Sequence, residues 1–71
     1  MIQQRLRELR QEHKLTQRDV VARTGIAEQQ YQTYERGVRK PRYEALLALA
    51  DCFDVSVDYL MGRTDNPQVN R

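Results

Sequence analysis

Short helical segments that end at glycines are the feature that most limits what this chain can fold into. Thr16 and Asp19 have the Thr-x-x-Asp spacing of a helix capping box. Gly25 follows, and a glycine just past a helix takes the left-handed conformation at no steric cost. The pattern predicts a helix over Gln17–Thr24 whose two valines face inward. Only a tight corner fits between Gly25 and the next helical segment.

The rest of the chain also has helical periodicity and shows no convincing strand. Ile2, Leu6 and Leu9 form the apolar stripe of a first helix that fades near His13–Lys14. The later predicted helices span Gln17–Thr24, Glu28–Arg36, Tyr43–Phe53 and Val57–Met61. The apolar face predicted for the fourth helix consists of Tyr43, Leu46, Leu47, Ala50 and Phe53. The sequence therefore predicts an all-α, five-helix domain over residues 1–62 and a disordered polar tail over 63–71.

Length and composition limit the protein to one small domain. The chain has 71 residues, a net charge of +2 and one cysteine, Cys52. One cysteine excludes an intramolecular disulfide and a cysteine-based zinc site, so we expect a reducing cytoplasm. No apolar run is long enough for a membrane span, and no signal peptide is recognisable.

The second and third predicted helices have the arrangement of a helix-turn-helix, in which the second helix enters the major groove of DNA. Tyr31, Tyr34 and Val38 form a face of the third helix that can pack inward with Ile26. The opposite face carries amides, a hydroxyl and a carboxylate, which are the groups that hydrogen-bond to base edges. The candidates for base readout are Glu28, Gln29, Gln32 and Thr33. The alternative for this face is an ordinary solvated helix surface.

Basic residues gather directly after the third predicted helix. Arg36, Arg39, Lys40 and Arg42 are four cations within seven positions. They fit a strip that meets the phosphate backbone beside an inserted helix, and their alternative role is a solvated loop. Gln17 begins the second helix, where it can contact a phosphate or a base at the edge of the groove.

Over residues 2–62 the chain resembles the lambda repressor/Cro-type helix-turn-helix family, also called the XRE family. The matching stretches are Leu6-Arg7-Glu8-Leu9-Arg10, Leu15-Thr16-Gln17, Gly25-Ile26, Tyr34-Glu35-Arg36-Gly37, Lys40-Pro41, Leu49-Ala50 and Val55-Ser56-Val57-Asp58-Tyr59-Leu60. The resemblance implies a five-helix domain and a structural ion pair between Arg10 and Glu35. Ala27 departs from the family pattern, because a Ser or Thr usually caps the third helix there. Val21 also departs, since it replaces the usual alanine where the two motif helices cross.

The remaining polar residues do not suggest catalysis. His13 is isolated, and Asp51, Asp54 and Asp58 lack the spacing of a calcium loop. No Ser/His/Asp arrangement or Gly-rich phosphate loop can be built from this sequence. We therefore expect a non-enzyme without cofactor or metal.

These observations lead to a hypothesis and two alternatives. The hypothesis is a homodimeric repressor of a palindromic double-stranded operator, with the dimer weak or completed on DNA. Its dimer surface would include Val57, Tyr59 and Met61 of the last helix. One alternative is an antitoxin-like interaction module that binds a partner protein and autoregulates. The other is a fragment of a longer regulator.

Overall fold

The computed structural model describes residues 1–69 and is built from five helices. Their bounds are α1 Ile2–Glu12, α2 Gln17–Thr24, α3 Glu28–Glu35, α4 Tyr43–Phe53 and α5 Val57–Leu60. Within the described residues no strand forms, so the all-α prediction is confirmed. The helices begin where the sequence predicts, while α3 and α5 each end one residue earlier than expected. No helix in this part of the chain is both long and apolar enough to cross a membrane.

The helix ends follow from local chemistry. The Thr16 hydroxyl accepts a hydrogen bond from the Asp19 backbone N–H at 3.1 Å, and the Asp19 carboxylate accepts one from the Thr16 N–H at 2.8 Å. This reciprocal box satisfies two amide groups that the helix itself leaves unbonded. Gly25 ends α2 with φ +77°, and its backbone N–H donates to Val21 O. The start and the end of α2 are therefore fixed by residues that the sequence already singles out, whereas Ala27 provides no side-chain cap at the start of α3.

One core joins all five helices. Its buried side chains are Leu6, Leu9, Val20, Tyr31, Tyr34, Leu49, Ala50, Phe53, Val55 and Leu60. Helix α1 packs on α3 and α5, and α2 packs on α3 and α4. Because Tyr31 and Tyr34 of α3 are buried in this core, the opposite face of α3 is held toward solvent.

Two predicted core faces are corrected by this packing. On α4, Tyr43 is 68% exposed and Leu47 is 39% exposed, whereas Leu49 is fully buried. The apolar residues of α4 cover more than one face, and α4 packs on α2 and α5, so only part of its apolar surface is buried. Val38 is 65% exposed because the positive φ of Gly37 turns the chain away from the helical path. The inward face of α3 therefore ends at Tyr34.

The polar segment after Gly62 has no regular secondary structure over residues 63–69. It does contact the helices, since Pro67 O accepts a hydrogen bond from the Ser56 N–H at 3.0 Å. Asp65 also lies 3.7 Å from Arg5. Disorder of this tail stays a prediction, and residues 70–71 lie outside the described residues.

Candidate nucleic-acid interface

The exposed face of α3 carries the residues predicted to read bases. Glu28, Gln29 and Gln32 are exposed, and Thr33 is half-buried. Thr33 Oγ1 donates a hydrogen bond to Gln30 O at 2.6 Å, so its hydroxyl proton is already used within the helix. What Thr33 can offer to a partner is its methyl group and an oxygen lone pair. The face therefore combines two amides, a carboxylate and a methyl.

The basic strip, Arg36, Arg39, Lys40 and Arg42, directly follows this face. All four residues are exposed. The N–H groups of Val38 and Arg39 both donate to Thr33 O, at 2.9 and 3.3 Å, which folds the loop back against the end of α3. A shallow hollow joins the strip to the helix and is lined by Gln30, Tyr34, Arg39, Lys40 and Arg42. Strip and helix therefore form one continuous surface with an excess of positive charge.

Glu35 lies behind this surface and holds α3 to α1. Its carboxylate is buried and accepts hydrogen bonds from Arg10 Nε at 2.7 Å and Arg10 Nη2 at 3.2 Å. Arg7 Nη1 donates to the Glu35 carbonyl at 2.6 Å. Burial alone would raise the pKa of the Glu35 carboxyl, but the hydrogen bonds that it accepts outweigh burial and hold the pKa below its ordinary value. Arg10 and Glu35 thus have the geometry of the structural ion pair that the resemblance implies.

Gln17 begins α2 as the sequence predicts, and its side chain contacts Glu35. Its Nε2 donates to Glu35 Oε1 at 3.3 Å, and the residue is half-buried. The structure therefore directs this side chain toward the Arg10–Glu35 pair, although the residue does begin α2. An amide nitrogen has two hydrogens, so one N–H of Gln17 remains for a second acceptor.

Arg18 was not among the residues singled out from the sequence, yet it contacts one of them. Its Nε lies 3.5 Å from Oε1 of Glu28. Arg18 is the second residue of α2 and Glu28 is the first residue of α3, so the two helix N-terminal ends meet here. The sequence pattern did not predict this contact, because it depends on how α2 and α3 pack against each other.

The residues set aside as non-catalytic have packing partners. His13 Nδ1 lies 2.9 Å from Leu9 O, and its ring centroid lies 5.5 Å from that of Phe53. Burial raises the pKa of the Cys52 thiol, which makes it less reactive. Across residues 1–69, no group of three or more His, Cys, Asp or Glu could hold a metal ion.

The chain matches the family described as Helix-turn-helix (HTH_3) over residues 6–60, and it belongs to this family. It is 48% identical over 64 residues to the uncharacterized HTH-type transcriptional regulator YobD of Bacillus subtilis, covering 90% of this chain and 57% of YobD. It is 42% identical over 64 residues to the HTH-type transcriptional regulator AnsR of the same bacterium, covering 90% of this chain and 55% of AnsR. The chain thus spans somewhat more than half the length of these relatives.

A solved structure is also similar to this chain. The crystal structure of the P22 c2 repressor in complex with synthetic operator 9T matches with a TM-score of 0.80 and 30% identity. The match covers 84% of this chain and 91% of that chain. Together with the five helices, it identifies the fold as that of a lambda-repressor-like DNA-binding domain.

Proposed function

We propose that the chain is a repressor-type transcription regulator that binds double-stranded DNA in a sequence-specific way. The observation that carries this proposal is the polar face of α3 lying directly beside the exposed basic strip, with Glu28, Gln29 and Gln32 of that face exposed as well. Base edges need hydrogen-bonding groups and a methyl contact, while phosphates need cations, and the surface supplies both kinds side by side. The named relatives are transcriptional regulators, which favours DNA binding over the partner-protein alternative.

Each residue of the surface has a role in this proposal. Gln29 bonds adenine N6 and N7, Glu28 accepts from cytosine N4, and Thr33 contacts a thymine methyl. Gln32 makes a flanking contact. The basic strip binds phosphates at any sequence, and the free N–H of Gln17 adds a phosphate contact at the start of α2.

We further propose that two copies bind a palindromic operator. A single helix-turn-helix contacts about one half-site, and two-fold dimers read half-sites roughly 34 Å apart. Of the residues expected at the dimer surface, Met61 is 43% exposed, while Val57 and Tyr59 are half-buried. The Tyr59 ring is covered by Arg5, whose guanidinium carbon lies 4.0 Å from the ring centroid. Met61 is therefore the best-placed residue for the dimer contact.

Selection of bound duplexes from a random pool tests this function. We expect enrichment of a two-fold symmetric sequence and binding that weakens steeply with salt. Met61→Glu should lower cooperativity on the full site and leave the affinity for an isolated half-site unchanged. If no duplex bound at low salt, the proposed function would be wrong.

We propose that the protein acts in the cytoplasm. The half-buried free thiol of Cys52 is compatible with a reducing compartment. We propose no catalytic activity and no cofactor, since binding through α3 and the basic strip requires neither.

A further inference from the structure

We propose that Arg18 and Glu28 act together to read one G·C base pair in the major groove. The inference rests on the proposed function and adds a base-reading residue, Arg18, to that interface. It also assigns to Glu28 a defined base pair and a partner side chain.

The two side chains meet at the part of the motif that approaches DNA. In a helix-turn-helix, the N-terminal residues of the second helix reach the base edges while the first helix crosses the backbone. Glu28 is the first residue of α3, and Arg18 lies on the first turn of α2. The Arg18 side chain keeps 88% of its accessible surface and that of Glu28 keeps 45%, so both are open to a partner.

The groups left free by this ion pair match the major-groove edge of a G·C pair. The contact at 3.5 Å uses Arg18 Nε and Glu28 Oε1, which leaves both Nη groups of Arg18 and Oε2 of Glu28 available. Guanine presents two acceptors, O6 and N7, and an arginine can donate to both. The paired cytosine presents the N4 amino donor, which a carboxylate accepts. Donors and acceptors are therefore complementary across the whole base pair.

A phosphate group could hydrogen-bond to Arg18 but not to Glu28. Its oxygens accept hydrogen bonds from Arg18 but offer no donor to Glu28. The carboxylate would then lie beside a like charge, which is unfavourable. A base pair that offers donors and acceptors together removes this conflict, and we therefore assign Arg18 to base readout.

The other carboxylates of the motif are already used inside the fold. Asp19 is held in the capping box by Thr16, and Glu35 is buried against Arg10. Among the acidic residues of α2 and α3, Glu28 is thus the one that serves neither in a helix cap nor in a buried ion pair, and its ion pair with Arg18 is exposed. An exposed pair of this kind is weak in water, and its attraction grows when a partner excludes water from it.

The second arginine of α2 provides a matched control. Arg23 lies five residues after Arg18, which places it about 140° around the helix axis. It is exposed and lies in the last turn of α2, at the opposite end from Glu28. Arg23→Ala removes the same charge from the same helix and leaves the Arg18–Glu28 pair intact.

The experiment selects duplexes from a random pool with wild type, Arg18→Ala, Glu28→Ala and Arg23→Ala. Affinities are then measured on the wild-type operator, with and without 7-deazaguanine, which lacks N7, at each guanine. We expect one G·C pair per half-site to lose its preference in Arg18→Ala and in Glu28→Ala. The affinity of Arg18→Ala for the operator should fall about 5- to 140-fold relative to Arg23→Ala. 7-Deazaguanine at that pair should weaken wild type and leave Arg18→Ala unchanged.

Two results would overturn the inference while leaving the proposed function intact. One is an Arg18→Ala protein that selects the same sequence as wild type with unchanged affinity. The other is uniform weakening on all duplexes, which would make Arg18 a phosphate contact. If circular dichroism showed that Arg18→Ala does not fold, Arg18→Lys would replace it in the same experiment. Lysine keeps the positive charge but lacks the planar guanidinium that donates two parallel hydrogen bonds. Failure of wild type to enrich any sequence would instead refute the proposed function.

Discussion

Glu35→Ala is expected to lower the free energy of unfolding by about 2–4 kcal/mol. Glu35 is 3% exposed, and its carboxylate accepts side-chain hydrogen bonds from Arg10 and Gln17. Removing one partner of a fully buried ion pair costs roughly 3–5 kcal/mol, because the remaining charge stays buried without compensation. The Arg10 side chain keeps 20% of its surface, so water relieves part of that cost and the expected value is lower.

This loss is large for a domain of this size. A chain of 71 residues has a total stability of only about 4–10 kcal/mol. Urea unfolding followed by circular dichroism should show a lower midpoint with an unchanged slope, and thermal unfolding should shift by roughly 10 °C or more. Glu12→Ala on the exposed end of α1 is the matched control and should change stability by less than about 0.5 kcal/mol.

The same pair predicts a pH dependence. The pKa of Glu35 is lower in the folded chain than its ordinary value, because its accepted hydrogen bonds outweigh the opposing effect of burial. The contribution of Glu35 to the free energy of unfolding is therefore complete above its unfolded pKa of about 4.3. It is lost as the pH falls through the lower pKa of Glu35 in the folded chain. The stability difference between wild type and Glu35→Gln should shrink below about pH 5. The capping carboxylate Asp19, whose pKa is also lowered, is present in both proteins and cancels.

A double-mutant cycle with Arg10→Ala decides whether the reasoning is correct. The two single changes should be strongly non-additive, since either one disrupts the same contact. The reasoning would be refuted if Glu35→Ala were as stable as wild type or if the coupling energy were near zero. Either result would mean that the Arg10–Glu35 pair is not the main interaction that holds α1 to α3.

Three further predictions concern the DNA surface. Gln29→Ala should cost about 1–3 kcal/mol at one operator position and relax base preference there, as measured by binding to single-position operator variants; unchanged binding would contradict its role in readout. Lys40→Ala should weaken all duplexes alike and lower the magnitude of the salt slope by about one unit in a titration of affinity against salt. Thr33→Ser keeps the hydroxyl and loses the methyl, so it should no longer distinguish thymine from deoxyuracil at one position, whereas Thr33→Val should still distinguish them. The opposite pattern would show that the Thr33 hydroxyl reads the base.

Much of the local structure could be predicted from the sequence. The start of α2 depends on Thr16 and Asp19, which lie within one turn of each other, so their chemistry decides the outcome locally. The polar face of α3 could be predicted for the same reason, since the helical period alone separates Gln29 and Thr33 from Tyr31 and Tyr34. The Arg10–Glu35 contact was expected only from family resemblance, because the two residues are far apart in sequence.

The contacts between elements were not predictable from periodicity. Leu47 and Leu49 are both apolar residues of α4, and only the positions of α2 and α5 decide that Leu49 is buried. Val38 continues the period of α3 in sequence, but Gly37 turns the backbone and exposes it.

By itself, the sequence determined five helices, the capping box of α2 and a polar α3 face followed by a basic strip. Those properties arise from interactions between near neighbours in the chain. Only the tertiary structure decided that Gln17 turns toward Glu35 and that Arg18 meets Glu28. The physical reason is that these contacts depend on the angle between packed helices, which is set by how the whole core fills its space.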